Sequence, residues 1–383
     1  MIRRVRVSLV RIEGRNGMAA KYRVGIIGSG RSGGLIEDEI SVGHHRKPFG
    51  HFGAYAAIEE TEVVAVANRG PERLKRFGER FGVTNTFLDY REMLETEQLD
   101  IVSVTTPALA RAEPLIFAAE HGVRGLYSEK GLCASLEEAD RIRAACRANG
   151  VAFNWGASRR HEPVYQAVRE TIARGEIGTP QFAIMYSYTD LIKHHPHTLD
   201  AVSMMLGDPM PTWVEGRMID PDDPFDPSPR KSPPTYDAAT HRYIPAEGEE
   251  IGDPMVGFVR IGYTGGAEGY FIPRRGPWDI EVHGERGRAV VWDNGLHAAV
   301  RLASRDDHSD VREHTIRAVG ESPTIRTIRD IIREMETGER TAGNIDVTMQ
   351  TVEAQFAIAH SHLQSGSRVK VPVLDRSLYI PGG

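Results

Sequence analysis

A glycine-rich stretch directly after an apolar segment restricts the fold of this chain more than any other feature. The apolar residues 24–27 are followed by six residues that fit the pattern G-x-G-x-x-G, namely Gly28, Ser29, Gly30, Arg31, Ser32 and Gly33. Such glycines allow a tight turn from a strand into a helix and a close approach of the backbone to a pyrophosphate. Glycine-rich turns also occur for purely structural reasons, so the surrounding sequence has to decide.

Beyond the motif, apolar strands alternate with segments of helical period. Further strands are predicted at 63–67, 101–106, 123–128 and 151–155. Such alternation is typical of a parallel sheet covered by helices on both faces. This is the context that a dinucleotide-binding Rossmann domain requires, so we predict that residues 28–33 bind NAD or NADP.

The end of the second predicted strand bears on which dinucleotide binds. A carboxylate there would take the ribose hydroxyls of NAD, whereas a basic residue accommodates the 2′-phosphate of NADP. The chain has Asn68 and Arg69 at this point. NADP is therefore slightly favoured, with an exposed arginine that contacts nothing as the alternative. Residues 34–50 exceed the usual spacing of about 20 residues to this position, which indicates an inserted loop near the cofactor cleft.

From about residue 156 the pattern changes, because strand candidates follow one another without intervening helices. They lie at 181–189, 213–219, 255–263, 267–272 and 289–294. This arrangement predicts a large, open, mostly antiparallel sheet. We therefore expect an α/β fold with an N-terminal extension at 1–21, a Rossmann dinucleotide-binding domain at 22–155, and a substrate-binding and oligomerisation domain at 156–383.

A segment rich in proline and charge, at 219–250, interrupts the second domain. A stretch of this length within a compact domain is either disordered or forms a functional lid or arm. Two helices are predicted further along the chain, at 324–335 and 347–363.

Composition narrows the range of partners. The formal net charge is −6, so the chain lacks the overall basic field that attracts nucleic acid or an anionic membrane surface. No apolar run approaches the roughly 20 residues that span a bilayer. Cys133 and Cys146 form no C-x-x-C pair, and Arg3 and Arg4 are not followed by the apolar segment of a signal peptide. We expect a small-molecule partner and a cytoplasmic location.

A series of short motifs follows the glycine turn in a fixed order. These are HFGAY at 51–55, VVAVANRGPER at 63–73, VTTP at 104–107, SEKG at 128–131, GEIGTP at 175–180, HTLD at 197–200 and VHGERG at 282–287. In this order the chain, from about residue 22 to its C-terminus, resembles the Gfo/Idh/MocA family of NAD(P)-dependent oxidoreductases. The resemblance implies cofactor contacts from Thr106, Pro107 and Glu129. It also implies a homo-oligomer, a dimer or a tetramer, formed through the C-terminal sheet.

The chain departs from the family pattern at three positions. Gly131 stands where the family usually has proline, and Lys193 stands where it often has aspartate. Arg111 replaces a histidine that is common after the VTTP strand. These changes leave the predicted fold intact but bear on the substrate and on the division of catalytic roles.

Two residues are the candidates for the chemistry. Hydride transfer between a carbinol carbon and nicotinamide needs a group that exchanges the hydroxyl proton, and positive charge where alkoxide character develops. Lys130 follows the fourth strand at its carboxyl end, where open parallel sheets bind ligands, and supplies the charge. His197, at the start of a predicted helix, supplies the proton exchange. A surface lysine and a helix-capping histidine are the structural alternatives.

Residues near these two are expected to contact the substrate. Asp200 lies three positions after His197, so it should share a helix face and either orient the ring or bind substrate hydroxyls. Lys193 should lower the pKa of His197 and favour an anionic substrate. Arg160 and Tyr188 should face the cleft from the second domain. His194 belongs to the same stretch, KHHPHTLD, but one short turn cannot supply a metal's converging ligands, so no metal site is predicted there.

The function predicted from these residues and the resemblance is that of an enzyme. It is an NAD(P)-dependent dehydrogenase or reductase acting on a secondary hydroxyl or ketone of a sugar, glycoside, sugar acid or cyclitol. One alternative is redox-assisted glycoside cleavage with bound NAD, in which transient oxidation acidifies a neighbouring C–H. A second alternative is a non-catalytic NAD(P)/sugar sensor, against which the presence of Lys130 and His197 argues.

Overall fold

The computed structural model describes residues 21–39, 46–219, 234–303 and 311–382. Most of the predicted N-terminal extension, at 1–20, lies outside the described residues. The same holds for 40–45 in the inserted loop and for 220–233 in the proline-rich segment.

The N-terminal part is built on a parallel sheet. Its strands are β1 (Tyr22–Ile27), β2 (Thr61–Ala67), β3 (Asn85–Phe87), β4 (Ile101–Val104), β5 (Gly125–Ser128) and β6 (Ala152–Trp155). The order across the sheet is β3-β2-β1-β4-β5-β6, and all of these strands pair in parallel. This is the order of a Rossmann sheet, so the predicted fold is confirmed. The prediction missed β3, a short edge strand without a continuous apolar run.

Helices cover this sheet. They are α1 (His51–Ala56), α2 (Pro71–Phe81), α3 (Tyr90–Thr96), α4 (Ala112–Glu120) and α5 (Leu136–Asn149). Ser135 caps α5 by accepting a hydrogen bond of 3.2 Å from the backbone N–H of Glu138, as its capping sequence indicates. The glycine turn enters only a short helical turn, Arg31–Leu35, because the insertion separates it from α1.

The C-terminal part contains a mixed sheet. Its elements in chain order are α6 (Pro163–Ala173), β7 (Pro180–Ser187), α7 (His195–Met205), β8 (Pro211–Met218), β9 (Thr235–Asp237), β10 (Arg242–Ile244), β11 (Val256–Tyr263), β12 (Glu268–Pro273), β13 (Asp279–Gly284), β14 (Gly287–Trp292), β15 (His297–Ala303), β16 (Val311–Thr315), α8 (Pro323–Thr337), α9 (Ile345–Leu363) and β17 (Val369–Lys370). In the described residues the sheet has the order β16-β15-β14-β13-β7-β12-β11-β8-β17. Only β7 and β12 pair in parallel, which confirms the predicted open, mostly antiparallel sheet.

Two features of the C-terminal part position the site. The helix α8 does not cover the mixed sheet; its apolar face packs on the parallel sheet, where Ile328 and Ile331 join the buried cluster around Tyr127 and Ala152. Within the proline-rich segment, β9 and β10 form a separate hairpin. The segment thus includes an ordered arm, one of the outcomes that its length predicted. No helix among the described residues combines the length and the apolar character that crossing a bilayer demands.

Candidate functional site

The glycine turn forms one end of a groove along the carboxyl edge of the parallel sheet. The groove has a volume of about 810 Å³. Its lining includes the predicted cofactor residues Gly28, Gly30, Asn68, Arg69, Thr106 and Pro107. A Cβ atom on Gly33 would lie 2.3 Å from the carbonyl oxygen of Gly28, so the turn closes this tightly only with glycine there. The sequence prediction therefore located residues that do lie together in space.

The turn has the features that a pyrophosphate needs. The Ser29 side chain is fully buried, and its Oγ has no hydrogen-bond partner among the described residues. The backbone N–H of Ser29 makes a 3.4 Å contact with Oδ1 of Asn68, which ties the turn to the end of β2. An orphaned hydroxyl beside a glycine cradle fits an anionic ligand that would complete its hydrogen bonds.

A second cavity, of about 340 Å³, continues from the other side of the same turn. The predicted residues in its lining are Arg31, Ser32, Glu129, Lys130, His194 and His197. Lys130 comes from the end of β5 and His197 from the first turn of α7, so the cavity lies between the two sheets. The N-terminus of α8 contributes Pro323 and Thr324. The two principal chemical candidates therefore share one cavity beside the proposed cofactor groove.

The pKa of Lys130 is lowered, chiefly by burial and with a contribution from the Arg111 charge, while Glu129 opposes the shift. Burial by itself would raise the pKa of Glu129. A hydrogen bond from His51 and the charges of Lys130 and Arg111 outweigh it and lower that pKa to about 2. Glu129 is thus a carboxylate that partly balances the lysine ammonium.

A buried network stands behind Glu129, and sequence reasoning gave it no role. His51 places Nε2 3.4 Å from Oε1 of Glu129 and Nδ1 2.9 Å from Oγ of Ser103. The hydroxyl of Tyr55 lies 2.9 Å from the same Ser103 oxygen. His51 and Tyr55 are the first and last residues of the HFGAY motif, so the motif was the signal that could have identified them. The network orients the carboxylate next to Lys130.

His197 is buried, with 8% of its surface exposed, and it faces the cavity. Its Nδ1 has no hydrogen-bond partner among the described residues. Burial lowers the pKa of His197 well below its usual value, and the charges of Arg159, Lys130 and His194 lower it further. The ring is therefore neutral near physiological pH and available as a proton acceptor.

The effect expected from Lys193 comes from other residues. Lys193 is exposed and lies outside the lining of the cavity. Its backbone N–H donates to Oδ2 of Asp253 at 2.9 Å. Arg159 and Lys130 are the cations that depress the pKa of His197. The lysine's position in the sequence, close to the histidine, did not indicate the direction of its side chain.

Two residues predicted to bind substrate instead bind each other. Asp200 is fully buried and accepts hydrogen bonds from Nε of Arg160 at 3.1 Å and from Nη2 at 2.8 Å. Arg160 also donates to both carboxylate oxygens of Asp208. Neither Arg160 nor Asp200 lines the cavity. The spacing of three residues did place Asp200 close to His197 on α7, but the side chain turns toward Arg160.

The remaining predicted residues have separate environments. Tyr188 is half-buried, stacks with the guanidinium of Arg275 at 4.5 Å, and lies outside the cavity lining. His194 lines the cavity and places Nδ1 2.8 Å from Oδ1 of Asp190. The adjacent His195 is buried and contacts Thr189 instead. Of the three histidines of KHHPHTLD, His194 and His197 line the cavity, whereas His195 does not.

Arg159, which the sequence predicted near the cleft, and Trp278, which it placed in the sheet core, both line the cavity. The guanidinium of Arg159 stacks on the Trp278 ring at 4.5 Å and donates to Oδ1 of Asn294 at 2.7 Å and 3.1 Å. Within the described part of the chain, no carboxylate lies within ion-pair distance of Arg159. Arg159 thus brings a positive charge to the cavity, on which Glu162 acts electrostatically without forming an ion pair.

Arg111, which stands in place of the family's histidine, is buried and donates to the carbonyl oxygen of Thr106. Burial lowers its pKa to about 10. It lines neither cavity and contributes instead to the positive potential around Lys130.

The fold thus combines a parallel Rossmann sheet with a separate mixed sheet, and residues from both parts line the cavity. Residues 22–157 match the family described as "Oxidoreductase family, NAD-binding Rossmann fold", GFO_IDH_MocA. The resemblance found in the motifs is confirmed over these residues, which are similar to the Gfo/Idh/MocA oxidoreductases.

Two curated relatives and one solved structure illustrate the similarity. D-apiose dehydrogenase of Paraburkholderia graminis is 34% identical over 34% of this chain and 34% of its own length. Myo-inositol 2-dehydrogenase of Thermotoga maritima is 24% identical over 41% of this chain and 42% of its own length. The chain thus spans well under half the length of these curated relatives. A levoglucosan dehydrogenase in complex with NADH shares the fold, with a TM-score of 0.71 at 19% identity over 92% of this chain and all of its own.

Proposed function

We propose that this protein is an NAD(P)-dependent dehydrogenase acting on a secondary hydroxyl of a sugar, sugar acid or cyclitol, or on the corresponding ketone. The observation that carries the proposal is that Lys130 and His197 line one cavity beside the glycine turn. The names of the curated relatives, which include D-apiose and myo-inositol dehydrogenases, agree with this substrate class.

Each residue has a role that follows from its charge state. His197, neutral because its pKa is depressed, takes the proton of the substrate hydroxyl during oxidation and returns it during reduction. The Lys130 ammonium stabilises the negative charge that develops on the substrate oxygen. The hydrogen-bond network of Ser103, His51 and Glu129 holds the Glu129 carboxylate in place and so positions the adjacent Lys130. When bound, the nicotinamide ring accepts or supplies the hydride.

The groove supports binding of the dinucleotide. The glycine turn and Ser29 would hold the pyrophosphate, while Asn68 and Arg69 at the end of β2 would contact the adenosine ribose. Arg73 and Arg91 line the same end of the groove. In the absence of an acidic residue at the end of β2, this positive set favours NADP slightly over NAD.

The charges of the cavity favour a substrate that carries a carboxylate. Lys130, Arg159 and Arg31 line it, and Arg159 has no neutralising carboxylate within ion-pair distance among the described residues. Two acids, Glu129 and Glu162, also line the cavity, so these three cations outnumber them by one. A planar guanidinium suits bidentate recognition of a carboxylate. We therefore infer that a sugar acid binds better than the matching neutral sugar.

The test is an assay of nicotinamide absorbance over a panel of neutral sugars, sugar acids and cyclitols with NAD and with NADP. Lys130→Ala and His197→Ala should each lower kcat by about 100-fold or more. Lys75→Ala and His297→Ala, which remove an exposed lysine and an exposed histidine, are the matched controls. Full activity in both site variants would contradict the proposal. Release of an aglycone without net cofactor reduction would favour redox-assisted glycoside cleavage instead.

We also infer a homo-oligomer formed through the open face of the mixed sheet. This face carries Phe258, which is 51% exposed, and Trp213, over which the guanidiniums of Arg260 and Arg368 stack at 5.1 Å and 3.8 Å. Exposed aromatic and arginine side chains are enriched in protein interfaces. Light scattering of the purified protein, and of Phe258→Glu, would test this; a monomer in both cases would contradict it.

A further inference from the structure

We propose that His241, His360 and Asp375 form a binding site for one divalent transition-metal ion, with Zn²⁺ as the best fit. Each of the three offers one ligand atom, and these atoms lie within 4.8 Å of one another. The site is separate from the cofactor groove and from the cavity of Lys130 and His197, neither of which these residues line. The sequence analysis did not predict this metal site.

The three ligands come from segments that are distant in the chain. His241 stands in the turn of the β9–β10 hairpin, His360 in the last turns of α9, and Asp375 in the segment after β17. Two backbone hydrogen bonds join the hairpin of His241 to the C-terminal segment that follows Asp375. The backbone N–H of Tyr243 donates to the carbonyl oxygen of Tyr379 at 2.9 Å, and the backbone N–H of Tyr379 donates to the carbonyl oxygen of His241 at 3.2 Å. The ligand atoms therefore converge on a framework that exists before any ion binds.

The strongest observation is a pair of unpartnered nitrogens. Nε2 of His360 and Nε2 of His241 are both buried and make no hydrogen bond within the described part of the chain. His360 is 6% exposed. Nε2 of His241 lies 2.9 Å from Oδ2 of Asp375, yet the contact does not have hydrogen-bond geometry. Buried polar atoms normally find a partner, so two orphaned imidazole nitrogens beside a carboxylate indicate a missing ligand.

The surroundings of His241 are compatible with the tautomer that binds a metal. Its Nδ1 lies 2.6 Å from the hydroxyl oxygen of Tyr236. When Nδ1 donates its proton to this oxygen, Nε2 keeps a free lone pair directed at the cluster. Metal-ligating histidines generally donate their second N–H in this way, which fixes both the ring and its tautomer.

The donor set identifies the class of ion. Two imidazoles and a carboxylate suit zinc and neighbouring transition metals, whereas calcium and magnesium prefer oxygen ligands alone. A tetrahedral zinc centre with bonds of about 2.0 to 2.1 Å separates its ligand atoms by roughly 3.3 Å. The present spacing is up to 4.8 Å, so binding would draw the three side chains closer together. The Asp375 side chain is 51% exposed, which provides an entry path and room for water as the fourth ligand.

A bound ion would fix the arm that runs from the hairpin to the candidate active site. Further along this arm, Glu250 lines the cofactor groove, and Asp253 accepts hydrogen bonds from the backbone N–H groups of Ile192 at 2.8 Å and Lys193 at 2.9 Å. The metal site thus anchors one end of a segment whose other end supports the loop before His197. Its role is structural, because the ligands line neither the cofactor groove nor the cavity of Lys130 and His197.

The test measures Co²⁺ binding by absorption spectroscopy and the effect of Zn²⁺ on Tm. Both use the full-length protein after removal of its affinity tag and treatment with EDTA. The wild type should take up about one equivalent of Co²⁺ with visible d–d absorption, and ZnCl₂ should raise Tm by about 3 °C or more. His241→Gln and Asp375→Asn should weaken Co²⁺ binding at least tenfold and abolish the Tm shift. His297→Ala, a change of an exposed histidine on β15, should behave as the wild type.

Several outcomes would overturn the site. These are no Co²⁺ uptake by the wild type, uptake that both ligand variants retain, or uptake that His297→Ala removes. Asp375 is half exposed, so Asp375→Asn is expected to fold, and the circular dichroism spectrum of the metal-free variant checks this. None of these measurements uses dehydrogenase activity, so the result is independent of the proposed function.

Discussion

A Cβ atom placed on Gly131 would lie 2.5 Å from the carbonyl oxygen of Ile192. The backbone of the loop that carries Lys130 therefore contacts the backbone of the loop that leads to His197. No short-range sequence pattern predicts this contact. It brings the ammonium of Lys130 and the imidazole of His197 into one cavity.

Gly131→Ala is expected to separate the two loops. The new methyl group cannot fit against the Ile192 carbonyl, so Lys130 shifts relative to His197 and kcat falls at least tenfold. Steady-state kinetics and a thermal melt measure the two effects. The matched control is Gly338→Ala, where φ is +75° and no atom lies within 4 Å of the added Cβ. It should lose some stability and keep its kcat; equal loss of kcat in both variants would contradict the prediction.

The pH profile of oxidation should report His197. The neutral ring is the active form, so kcat/KM falls as the pH drops through its pKa, and the depressed pKa places this limb well below pH 6.5. Arg159→Gln removes a cation that lowers this pKa, so the limb should move to higher pH. The comparison is made on a neutral substrate, to keep binding of a carboxylate out of the result. A limb that stays in place would mean that Arg159 does not act on His197.

Arg159 should also discriminate between substrates. Arg159→Gln is expected to lower kcat/KM for a sugar acid about 10- to 100-fold more than for the matching neutral sugar, the range of a charge-assisted pair. The measurement is the ratio of the two specificity constants. Arg141→Gln, which breaks an exposed pair with Glu113, serves as control and should leave the ratio unchanged. The inference of an anionic substrate fails if the Arg159 variant keeps the wild-type ratio.

The buried pair of Arg160 and Asp200 should act on stability and leave substrate binding unchanged. Asp200→Asn leaves the arginine charge with less compensation inside the protein, which costs about 3 kcal/mol or more in the free energy of unfolding. Urea unfolding measures this cost, and KM for the substrate should stay the same. A raised KM with normal stability would instead restore the substrate role that the sequence predicted.

Arg69 should set the preference between cofactors. It lines the groove next to Asn68 at the end of β2. Arg69→Ala is expected to lower kcat/KM for NADP about tenfold while the value for NAD changes little, because only NADP carries the 2′-phosphate. The measurement is kcat/KM for NADP and for NAD in the wild type and in the variant. If both values fall together, Arg69 contributes to dinucleotide binding without selecting between them.

The prediction from sequence succeeded where the signal is local. The strand-to-glycine turn and the alternation of strands with helices are short-range patterns, and they led to the Rossmann fold and to the residues of the cofactor groove. The open sheet was predicted in outline, but β15 and β16 were not assigned as strands. Edge strands with exposed polar side chains, such as β16, lack a buried face and so lack an apolar pattern.

Proximity in the sequence was a poor guide to side-chain direction at the site. Lys193 and Asp200 flank His197 within a few residues, yet one points to solvent and the other to Arg160. Arg159 and Trp278 reach the same cavity from separate segments of the chain. The rotation of α7 about its axis and the packing of the second domain determine these directions, and neither is encoded in the spacing of residues.

By itself, the sequence determined the class of fold, the position of the dinucleotide turn, and Lys130 and His197 as the chemical candidates. Only the tertiary structure decided which charges surround His197, that α8 packs on the parallel sheet, and that His241, His360 and Asp375 converge. The physical reason is the range of the interactions involved. Turns and strand patterns depend on neighbours along the chain, whereas a cavity or a ligand cluster depends on segments that meet only when the whole core packs.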